Sequence, residues 1–183
     1  VPNLMPDIVS RVAYNPTPWL HLDAGGVLRV FRHSVAPYDS DDKSVGGGVS
    51  VNAHAEPTSS TRLIGQLASG PGLGRYVGGL APDVAFRPDG TIAPIPTTSW
   101  VVGIEQAVTH RVAAAGYYSG VSTDATYFTD TTGEFIGFGF PGAGRGANRR
   151  IVEATGTLSY LAVRTKNRGS AQVHLQTSWM RRE

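Results

Sequence analysis

The sequence predicts an all-β chain: an antiparallel up-and-down transmembrane β-barrel, or an incomplete barrel, of about eight strands. Three observations predict it. Eight stretches alternate apolar and polar residues, the pattern of strands with one greasy and one wet face. Short polar turns and long Gly/Pro-rich loops join them in rotation, so short turns fall on one side and long loops on the other. No apolar run approaches the length of a transmembrane helix, so any bilayer crossing falls to strands.

The alternation predicts strands over 7–14, 19–32, 45–55, 61–69, 99–108, 111–121, 149–163 and 169–180, each beside its sequence neighbour. Residues two apart share a face, which sorts every strand into two sets. The first strand is the weakest, with Val12 and Tyr14 opposite Arg11. In the second, Leu20, Leu22, Leu28 and Val30 oppose His21, Asp23 and Arg29. The third sets Val49, Val51 and Ala53 against Ser50, Asn52 and His54, and the fourth sets Leu63 and Leu67 against Arg62 and Gln66. The fifth has Trp100, Val102 and Ile104 opposite Glu105. In the sixth, Val112, Ala114 and Tyr118 oppose Arg111, Tyr117 and Ser119. The seventh has Val152, Ala154 and Leu158 opposite Glu153, Thr155 and Thr157. The eighth is the cleanest, with Val173, Leu175 and Trp179 against Gln172, His174 and Gln176.

Turn chemistry agrees with this order. Asn15-Pro16-Thr17-Pro18, Glu56-Pro57-Thr58-Ser59-Ser60, Thr109-His110 and Lys166-Asn167-Arg168-Gly169 are compact polar connectors. Aromatic residues collect at strand ends: Tyr14, Trp19 and Tyr160 beside short turns, Trp100, Tyr118 and Trp179 beside long loops. That placement reads as two girdles flanking a membrane-thick band, or as the ordinary liking of Tyr and Trp for a solvent boundary. Trp19 has the wrong parity for its strand and counts only as a turn residue.

The 183 residues are read as a single β-barrel domain or barrel segment. The formal charge of +2 comes from scattered basic residues, which is not the footprint of a nucleic-acid binder. Cysteine is absent, so disulfides and thiolate metal sites are excluded. There is no initiator Met and no signal-type apolar core, so the chain is expected to be mature, trimmed or a fragment. Strand one runs toward the short turns and strand eight toward the long loops. Both chain ends then lie on the long-loop side, and the chain reads as the interior of a larger barrel whose first and last strands present open edges.

Pro6-Asp7-Ile8-Val9-Ser10-Arg11-Val12-Ala13-Tyr14, followed by the strand His21 to Phe31, resembles a segment of bacterial outer-membrane porins of the DcaP-like kind. Gly74-Arg75-Tyr76-Val77-Gly78-Gly79-Leu80-Ala81-Pro82-Asp83 with Arg87-Pro88-Asp89-Gly90-Thr91 resembles the long loop of such proteins. So does Gly137 to Gly142 running on to Asn148–Thr155. The resemblance implies a water-filled channel in the outer membrane of a Gram-negative bacterium, commonly a homotrimer, passing small polar or anionic solutes. This chain has about half the strands of a porin and lacks the C-terminal strand ending in an aromatic residue.

Within that reading the wet faces would line the pore. The candidates are Arg11, His21, Asp23, Arg29, Asn52, His54, Arg62, Gln66, Glu105, Arg111, Glu153, Gln172, His174 and Gln176. Charges in a lumen tune which ions pass, or they pair with one another to satisfy a packed interior. The expected partners are the lipid bilayer and small polar solutes, with no nucleic acid.

No enzyme activity and no cofactor is expected. The glycine-dense Gly137–Gly146 lacks the Lys-Ser/Thr of a phosphate loop. Five His residues are dispersed without a short-range pair, so no metal site is expected. Asp39, Asp41, Asp42, Asp124 and Asp130 lack EF-hand spacing. Gly-Tyr-Tyr-Ser-Gly at 116–120 is not a nucleophile elbow. The alternative reading is a soluble β-sandwich or small closed barrel acting as a ligand-binding module, with the greasy face as its core.

Overall fold

A computed structural model describes residues 5–35, 40–79, 81–144, 148–165 and 169–183. In chain order the strands are β1 (Ile8–Thr17), β2 (Leu20–Val35), β3 (Ser40–Thr58), β4 (Thr61–Pro71), β5 (Val84–Phe86), β6 (Ile92–Pro94), β7 (Pro96–Ala107), β8 (Val112–Thr123), β9 (Thr126–Thr129), β10 (Phe135–Phe138), β11 (Arg150–Thr165) and β12 (Gly169–Arg182). Eight of them form one antiparallel sheet in the order β1-β2-β3-β4-β7-β8-β11-β12, matching the eight strands read from alternation. Lys166, Asn167, Arg168, Asp39 and Leu80 lie outside the described residues.

The sheet is open. Among the described residues β1 and β12 pair with nothing beyond β2 and β11, and both are exposed throughout almost their whole length. A closed ladder between Val9–Ala13 and Val173–Thr177, which a small closed barrel requires, is not formed.

Two prolines mark where the first hairpins loosen. The β1–β2 register shifts between Tyr14 and Thr17, around Pro16, and the β3–β4 register shifts between Ala55 and Thr58, around Pro57. Proline cannot donate to a ladder, so each strand bulges where it stands and then turns. The connector Asn15–Pro18 is therefore largely strand, ending in the tight turn at Pro18-Trp19.

The register also drifts steadily across the sheet. One row of partners runs Tyr14, Leu22, Ala53, Gly65, Val102, Tyr118, Ala154, Trp179. Tyr14 stands three residues before Thr17, whereas Trp179 stands ten residues after Gly169. Such a stagger tilts strands against the line of the turns, and closure of a barrel depends on it.

The long connection after β4 is not a plain loop. It holds a 3-10 turn (Gly74–Val77) and the β5–β6 hairpin, and it folds back over the polar face at β2–β4. Among the described residues, seven of the eight buried hydrophobic ones belong to it: Leu73, Val77, Ala81, Ala85, Ile92, Ala93 and Ile95, joined by Phe31 of β2. Glycines make room. A Cβ on Gly48 would lie 2.5 Å from Leu73 Cδ1, and one on Gly46 would lie 2.6 Å from the Phe31 ring. The connection after β8 carries the β9–β10 hairpin, whose Phe128 stacks under Arg87 beside β5.

Candidate functional site

The pairing places the predicted wet residues on one face. Arg11, His21, Asp23, Arg29, Asn52, His54, Arg62, Gln66, Glu105, Glu153, Gln172, His174 and Gln176 share the parity fixed by Asp23↔Asn52↔Gln66↔Val101↔Ser119↔Glu153. Arg111 stands just ahead of β8, in the turn, where its carbonyl accepts the Leu161 N–H.

Charges on this face alternate across neighbouring strands and pair. Arg11 bonds Asp23 at 2.9 Å, and Asn52 donates to the other Asp23 oxygen at 2.6 Å. His21 lies 3.6 Å from the same carboxylate. Glu56 is shared by His54 at 3.1 Å and Arg62 at 2.9 Å; Arg62 reaches Glu105 at 3.3 Å, and the Tyr117 hydroxyl donates to Glu105 at 2.5 Å. Pairing does not hide every charge: Arg62 is paired yet 48% exposed, whereas Asp23 is largely covered.

Arg29 has a different place. It is on the polar face but fully buried under the folded connection. Its guanidinium contacts Asp7 at 3.2 Å and Asp83 at 2.8 Å, donates to the Gly72 carbonyl, and lies over the rings of Phe31 and Tyr76. Tyr76 donates its hydroxyl to Asp7 at 2.7 Å, which holds the phenol above its usual pKa. Burial pushes the Asp83 carboxyl up, but Arg29 and the Arg75 N–H, 2.9 Å away, outweigh it and leave Asp83 below the ordinary carboxylate range. Asp7, Tyr76 and Asp83 were not among the sequence candidates. Asp7 stands just ahead of a weakly patterned strand and the other two sit in a connection without periodicity, so alternation does not single them out.

Tyr76 stands out from the connection, 47% exposed, between two grooves. One, of about 440 Å³, runs over β1–β4 past Arg11, Asp23 and Asn52. The other, of about 420 Å³, runs over β7–β12 past Val101, Ser119, Glu153 and Arg182. Arg182 was missed because the last strand runs two residues beyond its expected end.

The opposite face is aliphatic and bare. Val12, Leu28, Val49, Val51, Leu67, Val102, Ile104, Leu158, Val173 and Leu175 are all exposed on it, from one edge of the sheet to the other. Trp100 meets Tyr118 edge-on at 4.9 Å, its ring lying over Gly120. Among the described side chains, charges on this face come at or beyond strand ends, at Arg32, Lys43, Arg150, Arg181 and Glu183, the last two paired at 2.6 Å. Comparisons with family models, curated proteins and solved structures return no match for this chain.

Proposed function

We propose that this chain is part of a β-barrel channel of a bacterial outer membrane, allowing passive diffusion of small hydrophilic solutes along its polar face. The observation that carries the reading is the bare aliphatic face of the eight-stranded sheet. Exposed apolar patches beyond a few hundred Å² are rare on soluble monomers and call for a partner or a lipid phase. A sandwich would need a second sheet over that face, and the described residues supply only two short hairpins besides the main sheet.

The dimensions favour lipid. On β2 the apolar parity runs from Leu20 to Val30, about 33 Å along a strand at about 3.3 Å per residue. Tilted by about 40°, that is a band about 25 Å tall, the height of the apolar belt of outer-membrane barrels. The stagger from Tyr14 to Trp179 has the sense of such a tilt. In this reading the aromatic residues sit at the two interfaces, and the connection carrying Tyr76 narrows the path.

The open edges at β1 and β12 would pair with further strands in a closed barrel, in keeping with the DcaP-like porins that the sequence resembles and with a homotrimer. The charges of the polar face are of both signs and mostly paired, which favours polar and weakly charged solutes over a strict anion path. Planar-bilayer recording tests the reading: the barrel containing this chain should give stepwise ohmic conductance. Solubility without detergent, together with an absence of conductance, would overturn it.

A further inference from the structure

Two neighbouring charges on the polar face, Glu153 and Arg182, stand outside its ion pairs. Arg11, Asp23, Arg29, Arg62 and Glu105 are each held in an ion pair. Glu153 and Arg182 are not: Glu153 accepts the Thr155 hydroxyl at 3.0 Å, and Arg182 reaches the Met180 sulfur at 3.4 Å. They are diagonal neighbours on adjacent strands, since Glu153 pairs with Met180 and Ile151 pairs with Arg182. Residues so placed are within reach of each other's long side chains. An acid and a guanidinium thus stand diagonally on one face, neither in an ion pair among the described residues.

What lies beside them is apolar. Both line the groove of about 420 Å³, whose wall includes Val101, Ile151 and Met180 and whose margin is the exposed ring of Tyr76. Val101, Ile151 and Met180 carry the polar-face parity, so they form an apolar floor beside these two charges. A ligand that satisfies all three features has an ammonium, a carboxylate and a compact hydrocarbon body.

We infer that this groove is a subsite for zwitterionic α-amino acids with apolar side chains, Glu153 taking the ammonium and Arg182 the carboxylate. The assignment rests on the channel reading, because it treats the polar face as a solute path. Charge-assisted hydrogen bonds at each end set the selection: an anion alone meets Glu153, and a cation alone meets Arg182. The apolar floor then favours leucine-like bodies over glycine.

The test is a binding titration by saturation-transfer NMR on the protein in detergent micelles. The probes are L-leucine, N-acetyl-L-leucine and L-leucinamide at about pH 6, where a free α-amine is protonated. Leucine is expected to bind about tenfold more tightly than either derivative, each of which loses one charged contact. In Glu153→Gln, leucine and N-acetyl-leucine should bind alike; in Arg182→Gln, leucine and leucinamide should. Equal binding of the three probes to the unsubstituted protein, or no saturable binding of leucine, overturns the subsite without any variant. Conductance is read separately. A protein that conducts but shows no such preference loses the subsite alone, and one that binds leucine selectively without conducting keeps the subsite and loses the channel.

Discussion

Arg29 of β2 and Asp83 of the connection after β4 meet at 2.8 Å, with the guanidinium fully buried. This contact ties the folded connection to the sheet. Removing one partner of a buried pair leaves the other desolvated and uncompensated, at about 3 kcal/mol or more. Arg29→Met should release the segment 72–95 while leaving the main sheet intact. Limited proteolysis checks this: new cleavage inside 72–95 with an unchanged far-UV circular dichroism spectrum is expected.

The same contact makes the docking pH-dependent. Asp83 is held below its ordinary range, so its contribution is fully present above the unfolded carboxylate value and is lost as pH falls through the depressed folded value. Protection of the Arg75 and Tyr76 amides, taken relative to their intrinsic exchange rates at each pH, should therefore be high at neutral pH and fall only in acid below the usual aspartate range. Asp83→Asn should remove that acid transition and speed exchange at neutral pH.

Gly48 tests the packing without touching charge. A Cβ there would lie 2.5 Å from both Leu73 Cδ1 and the Ser69 carbonyl oxygen. Backbone cannot yield as a flexible side chain does, so Gly48→Val should displace Leu73 at a cost of about 1–3 kcal/mol. A denaturation midpoint and proteolytic pattern unchanged from the unsubstituted protein would show that the connection does not rest on this glycine.

Arg62 is paired with Glu56 and Glu105 and still half-exposed on the polar face. Arg62→Glu should shift permeability toward cations at low salt and have little effect at high salt, where screening is strong. The reversal potential in a salt gradient reads this, and an unchanged ratio would place Arg62 off the conducting path.

The main sheet was legible because period-two alternation survives wherever each face meets one environment. Strands such as β4 and β12 declare both faces in a few residues, Leu63 and Leu67 against Arg62 and Gln66, Val173 and Leu175 against His174 and Gln176. The connection after β4 was not legible. Its strands β5 and β6 have three residues each, too few to show a period, and its anchor is an arginine whose parity suggested a solvated lumen position. Parity assigns a face but cannot say what folds back over it. Glu153 and Arg182 show the same limit: alternation put Glu153 on the wet face, but only the pairing shows which charges lack a partner.

The central claim is that the aliphatic face meets lipid and the polar face meets water. The chain has no cysteine, so single cysteines can be placed along β4 from Arg62 to Ala68 without background. Spin labels there, in lipid vesicles, report accessibility to oxygen and to a water-soluble nickel chelate. Labels at 63, 65 and 67 should favour oxygen and labels at 62, 64, 66 and 68 should favour nickel, alternating residue by residue. Nickel access at every position, or the opposite parity, would contradict a lipid-facing sheet.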